Sequence, residues 1–119
     1  MSKRLEKEEI IRQRISQELG IPLEKRKVKL EGIEETWEAD FVSKDGTIVG
    51  EIKTADFKGK AGTAIPRNLC CPYLLLKFTA GAKKRLLIFT EESLFVHVMK
   101  SKFGKLAKND GIEIRLEEL

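Results

Sequence analysis

The sequence predicts an α/β protein, a mixed sheet flanked by helices, on three observations. Residues 3–19 carry an apolar stripe at helical spacing. The stretch Trp37–Lys53 reads as a β-hairpin around Asp45-Gly46. Leu86-Leu87-Ile88-Phe89 is a short continuous apolar run, of the kind carried by a central strand buried on both faces. With 119 residues, 41% of them hydrophobic and 35% charged, the chain suits one globular domain, residues 1–119, with a single modest core.

The elements follow in order. In the first helix, 3–19, Leu5, Glu8, Ile11, Ile15 and Leu19 recur every three or four residues, and Gly20-Ile21-Pro22 stops it. Residues 23–31, centred on Val28-Lys29-Leu30, supply a first strand. Its Lys25-Arg26-Lys27 cluster is either a phosphate contact or a solvated strand entrance. Thr36–Ser43 and Thr47–Lys53 form the hairpin, with Trp37 in the core or capping the sheet. Residues 67–80 look helical, with Leu74-Leu75-Leu76 packing on the sheet and Gly81 ending the element. Leu86–Phe89 is the central strand. Thr90 is placed to cap one helix that begins at Glu91-Glu92, carries Leu94, Phe95, Val98, Met99, Lys102, Phe103 and Leu106 at helical spacing and has Gly111 near its end, although Leu94–Val98 would also serve as a strand. Ile112, Ile114 and Leu116 alternate as a final edge strand.

The hairpin carries the chemistry. Asp45-Gly46 suits a two-residue type I′ turn, which sets Lys44 against Thr47, Val42 against Val49, Asp40 against Glu51 and Glu38 against Lys53. Side chains alternate along a strand, so Asp40, Glu51 and Lys53 share one face. Two carboxylates about 5 Å apart are mutually destabilising. A proton, a neighbouring cation or a bound metal relieves such a pair, and acidic oxygens with room for water suit Mg²⁺. The ordinary reading of the same residues is a solvated face with an Asp/Lys/Glu salt-bridge ladder.

Asp40, ten intervening residues and Glu51-Ile52-Lys53 resemble the signature of the PD-(D/E)XK nuclease superfamily, which includes restriction endonucleases, archaeal Holliday-junction resolvases and Mrr-like enzymes. Ala39 stands where the superfamily's name has proline, a residue often missing there. Asp56-Phe57-Lys58 is a second acidic-x-Lys triplet, but it follows the apolar strand instead of ending it. The resemblance implies a restriction endonuclease-like α-β-β-β-α-β core and a Mg²⁺- or Mn²⁺-dependent endonuclease acting on DNA. Asp40, Glu51 and Lys53 would be catalytic. Asp40, Glu51 and the Ile52 carbonyl would hold the metal, joined by Glu8 or, with the helix rotated, Glu9. A chain this small implies a homodimer. The other readings are a non-catalytic nucleic-acid-binding module on the same fold, or a subunit of a larger restriction or defence complex.

Lys58, Lys60 and Arg67, in or beside a Gly- and Lys-rich loop, are candidate nucleic-acid contacts, and the net charge of +4 accords with such a partner. Gly59-Lys60 lacks the Gly-x₄-Gly-Lys-Ser/Thr spacing that nucleotide hydrolysis needs. The adjacent Cys70-Cys71 and the lone His97 cannot supply a zinc site of usual spacing; the cysteines read as buried small apolar groups and His97 as structural. No apolar run approaches a membrane span and no signal peptide opens the chain, so a cytoplasmic protein without membrane partners is expected. Only four amide side chains, Gln13, Gln17, Asn68 and Asn109, among abundant Lys and Glu give the composition bias of thermophile proteins.

Overall fold

The computed structural model describes residues 3–57 and 69–119. In these the order is α1 (Lys3–Leu19), β1 (Leu23–Lys29), β2 (Thr36–Ser43), β3 (Ile48–Lys53), α2 (Cys70–Lys77), β4 (Lys84–Phe89), α3 (Glu92–Lys100), α4 (Lys102–Asn109) and β5 (Ile112–Leu116). The strands form one mixed sheet in sequence order. β1, β2 and β3 are an antiparallel meander, and β4 and β5 continue it in parallel.

Parallel neighbours need crossovers, and their helices cover the sheet. Leu76 of α2, Leu94 and Val98 of α3 and Ala107 of α4 bury one face with Trp37, Ala39, Val49, Leu87 and Phe89. Among the described residues α1 covers the opposite face, where Ile11 and Ile15 meet Phe41, Ile52, Leu86 and Ile88. The alternation of Leu86, Leu87, Ile88 and Phe89 between these two clusters makes β4 the strand buried on both sides, as its unbroken apolar run requires. Among the described residues no helix is long and apolar enough to cross a membrane.

Four local expectations change. The long helix after β4 is two helices, because Ser101 adopts extended backbone and its hydroxyl accepts from the Gly104 amide at 3.1 Å, capping α4. Gly104 is required there: a Cβ would lie 2.2 Å from the Val98 carbonyl oxygen. Thr90 is not the cap of α3, whose N-cap is Glu91 without a side-chain bond. Cys70 and Cys71 are exposed, since Leu69, Pro72 and Leu76 form the inward face of α2 and turn the cysteines and Leu74 outward. Pro72 is accommodated in the first turn, where its missing N–H removes no helical bond. Trp37 is buried as expected, and its indole N–H donates to Thr79 Oγ1 at 3.1 Å.

Phe41 and Gly50 are cross-strand partners, and the Phe41 ring lies over the glycine so closely that a Cβ there would sit 2.0 Å from Cζ. Gly50→Ala is therefore expected to destabilise the fold by about 3 kcal/mol, near the upper end of overpacking penalties. A urea midpoint unchanged from wild type would contradict this contact.

Candidate active site

The site begins at the hairpin turn. Gly46 donates to the Ser43 carbonyl at 3.0 Å and has φ +77°, whereas among the described residues none other than glycine has positive φ. A type I′ turn needs positive φ at Asp45 too, so the expected turn is not formed. Lys44 and Asp45 are the central residues of a wider turn, which Asp45 braces. Its Oδ1 accepts from Ser43 Oγ (2.7 Å), the Thr47 amide (3.0 Å) and Thr47 Oγ1 (2.8 Å). These bonds to the ionised form hold its carboxyl at about 2, the Thr47 amide contributing most. The register survives: Val42 faces Val49, and Ser43 Oγ accepts from the Ile48 amide at 3.0 Å.

Further along, β2 departs from regular pairing. Glu24 pairs with Val42 and Arg26 with Ala39, so Asp40 and Phe41 together stand opposite the single residue Lys25. This is a β-bulge, which bends the strand and re-aims a side chain. The β2–β3 ladder holds only Phe41–Gly50 and Val42–Val49. Beyond it, two side chains replace main-chain pairing: the Asp40 amide donates to Glu51 Oε2 at 3.0 Å, and the Ile52 amide donates to Asp40 Oδ2 at 2.8 Å. Asp40 and Glu51 are thus neighbours through reciprocal bonds instead of a facing ladder pair. The expected Glu38–Lys53 pair is absent. Glu38 pairs with Lys27 in the β1 ladder and lies 3.6 Å from Lys25 Nζ, while Lys53 Nζ lies 3.9 Å from Glu51 Oε1.

A pocket of about 330 Å³ opens at this end of the sheet, lined by Arg4 and Glu8 of α1, Lys25 of β1, Asp40, and the run Glu51–Ala55. It brings Glu8, Asp40, Glu51, Ile52 and Lys53 together. Glu8 is 6% exposed and ion-paired to Arg4 at 3.6 Å. Glu9 faces elsewhere, bound to Arg12 and Gln13 with its side chain 51% exposed. Arg4 and Arg12 escape a search for apolar periodicity, yet positions 4, 8 and 12 follow one another at four-residue spacing along one helix face. Of the Lys25-Arg26-Lys27 cluster, only Lys25 reaches the pocket; Arg26 instead donates to the Ser43 carbonyl at 2.9 Å, near the turn.

Lys58, Lys60 and Arg67 lie outside the described residues. Of the second triplet, Asp56 is exposed and does not line the pocket. Phe57 is fixed to α3: its amide donates to Ser93 Oγ at 3.0 Å and its ring stacks on His97 with centroids 3.8 Å apart. His97 thus anchors the strap leaving β3, and its Nε2 is buried with no hydrogen-bond partner among the described residues.

Electrostatically the pocket is unbalanced. Burial pushes the Glu51 carboxyl up to about 8, and the adjacent Asp40 charge adds to this; Lys53 offsets only part. Burial also raises Glu8, again with Asp40 contributing, against the opposing charges of Arg4, Lys25 and Arg12. The donor set is all carboxylate and carbonyl oxygen, which suits a hard divalent cation. Among the described residues no group of three or more Asp, Glu, His or Cys side chains forms a ready metal cage. Two carboxylates, each with one oxygen committed to an amide, fit an ion that keeps waters and takes further oxygens from a phosphate.

Comparison with protein families, with curated proteins and with solved structures finds no match for this chain.

The raised Glu51 has a defined consequence for stability. Between its ordinary value of 4.5 and about 8, the folded protein retains a proton that the unfolded chain has released. Stability from this group is complete below the lower value and lost as pH rises through the upper one. In EDTA, the melting temperature is expected to fall from about pH 5 to about pH 8, and Glu51→Gln to flatten that slope. The same slope in Glu51→Gln would place the titration elsewhere.

Proposed function

We propose that the chain is a metal-dependent nuclease of the PD-(D/E)XK type, hydrolysing phosphodiester bonds of DNA on a restriction endonuclease-like core. The observation that carries this reading is the pair of half-buried Asp40 and buried Glu51 at the bulged end of the hairpin, with Lys53 3.9 Å from Glu51 and Glu8 brought into the same pocket from α1. A salt-bridge ladder on a solvated face would leave these carboxylates exposed, whereas Glu8 and Glu51 are buried.

Asp40 and Glu51, with the Ile52 carbonyl and Glu8, would hold Mg²⁺ or Mn²⁺. Bound there, the ion supplies Lewis-acid charge that makes water a better nucleophile and offsets charge building on the phosphate. Lys53 contributes a compact positive charge at the same point, suited to a non-bridging phosphate oxygen in the transition state. Asp40 is itself fixed by the Ile52 amide, and Glu51 by the Asp40 amide, so neither carboxylate must reorganise to meet the substrate. Arg4 and Lys25 place two more cations on the rim of the pocket, where a nucleic-acid backbone would run. Two copies related by a two-fold axis would present two such pockets to a duplex or a junction.

The absence of a three-carboxylate cage among the described residues favours a second reading, a module on the same fold that binds nucleic acid without cutting it. One experiment separates the two. Purified protein and its variants are incubated warm with a four-way junction, linear and nicked duplex, and single-stranded DNA and RNA, in Mg²⁺, Mn²⁺ or EDTA. Cleavage is expected only with metal, reduced to background in Asp40→Ala and Glu51→Ala and by roughly 10²–10³-fold in Lys53→Ala, as for loss of one transition-state contact. Salt-sensitive binding without cleavage of any substrate would select the non-catalytic module.

A further inference from the structure

We infer that Arg12 is the positioning residue of this site: its guanidinium fastens α1 to the bulge at Asp40 and so holds Glu8 beside the carboxylate pair. The inference rests on the metal-site reading of the pocket for its consequence, and on geometry for its substance.

A bulge leaves main-chain polar groups that the ladder does not serve, and such groups need other partners. At Asp40 both find side chains. The amide donates to Glu51, and the carbonyl accepts from Arg12 Nε at 2.9 Å, a bond spanning 28 residues of sequence. Arg12 is itself held, with its side chain only 12% exposed and Nη1 bonded to the Glu9 carboxylate. Glu9 is held in turn by the Gln13 amide at 2.9 Å. The guanidinium therefore bridges the outer side of α1 and the bulged strand.

The two ends of α1 are secured differently. Toward its C-terminus, Ile15 is buried in the core, Arg115 grips Glu18 through both carboxylate oxygens at 2.6 and 2.7 Å, and Arg14 donates to the Glu118 carbonyl at 2.7 Å. From Lys3 to Ile10, Glu8 is the only buried residue. That residue is a carboxylate, and its ion pair to Arg4 at 3.6 Å lies within α1 and does not tie the helix to the sheet. Arg12 lies one turn beyond Glu8 on the same face, so the bond that pins Arg12 to Asp40 also sets where Glu8 lies. Ile11 and Ile15 supply adhesion, but apolar contact is non-directional and does not fix the rotation or slide of the helix.

The test is a double-mutant cycle on Mn²⁺ binding, measured calorimetrically in the full chain without nucleic acid. Arg12→Ala and Glu8→Gln are each expected to weaken Mn²⁺ about 10-fold, the scale of losing a group that orients a ligand. Because Arg12 acts through Glu8, the double variant should bind no more than about 2-fold more weakly than Glu8→Gln alone. Arg12→Lys keeps a cationic donor for the Asp40 carbonyl and should recover most of the affinity; it also serves if Arg12→Ala does not fold. Additive losses in the double variant, or wild-type affinity in folded Arg12→Ala, would overturn the inference. Wild-type protein that takes up no Mn²⁺ would sink the metal reading alone. The positioning claim is then decided by amide hydrogen exchange in Arg12→Ala or, if that variant does not fold, Arg12→Gln. Exchange should quicken over residues 4–10 and not over 13–19, and unchanged exchange over 4–10 overturns it.

Discussion

One extra residue in β2 governs the rest of the site. Because Asp40 and Phe41 share a single partner on β1, the strand turns Phe41 onto Gly50 and the α1 side of the sheet. It also frees both main-chain groups of Asp40 for side-chain partners on two different elements. The amide recruits Glu51 and the carbonyl recruits Arg12. Regular pairing would satisfy those groups within the sheet and leave neither side chain a reason to be there.

The charges follow from that geometry. Once Glu51 and Glu8 are buried beside Asp40, the pocket holds three carboxylates against Lys53, Arg4 and Lys25. Lys53 is 3.9 Å from its partner and Arg4 largely solvated, so neither cation compensates fully. The protein tolerates the imbalance because the sheet beneath is well packed: Leu86, Leu87, Ile88 and Phe89 are all fully buried, and each face of β4 meets its own cluster. Stability is concentrated in β4 and electrostatic tension at the open ends of β2 and β3.

Much of the architecture was legible, for identifiable reasons. Period and stop signals are local, so Lys3–Leu19, the hairpin and its Val42–Val49 register, the central strand and the final edge strand all follow from residue spacing. The candidate residues Asp40, Glu51, Lys53 and Glu8 converge on one pocket for the same reason: three are placed by side-chain alternation along the hairpin strands and one by helix face. What escaped depends on contacts that spacing does not encode. The bulge is invisible because Asp40-Phe41 reads as ordinary alternation until β1 is laid beside it. The turn differs from the expected one because Asp45-Gly46 looks alike whether Asp45 is a left-handed turn residue or, as here, a side-chain brace. The break at Ser101 rests on a contact between Gly104 and the Val98 carbonyl, and the exposure of Cys70 and Cys71 on which face of α2 the core selects.

The sheet order has a consequence in time as well as space. β1, β2 and β3 meet through short connections, whereas β4 joins only after a crossover from Lys53 to Lys84 and β5 after another from Phe89 to Ile112. Closing a longer segment costs more chain entropy before any contact rewards it, so the meander is the part of the sheet that nucleates at least expense. Every described residue lining the pocket lies between Arg4 and Ala55, within or beside that local unit. The chain thus separates two tasks along its length: its first half lays out the chemistry through near neighbours, and its second half arrives by long-range docking to make that layout permanent.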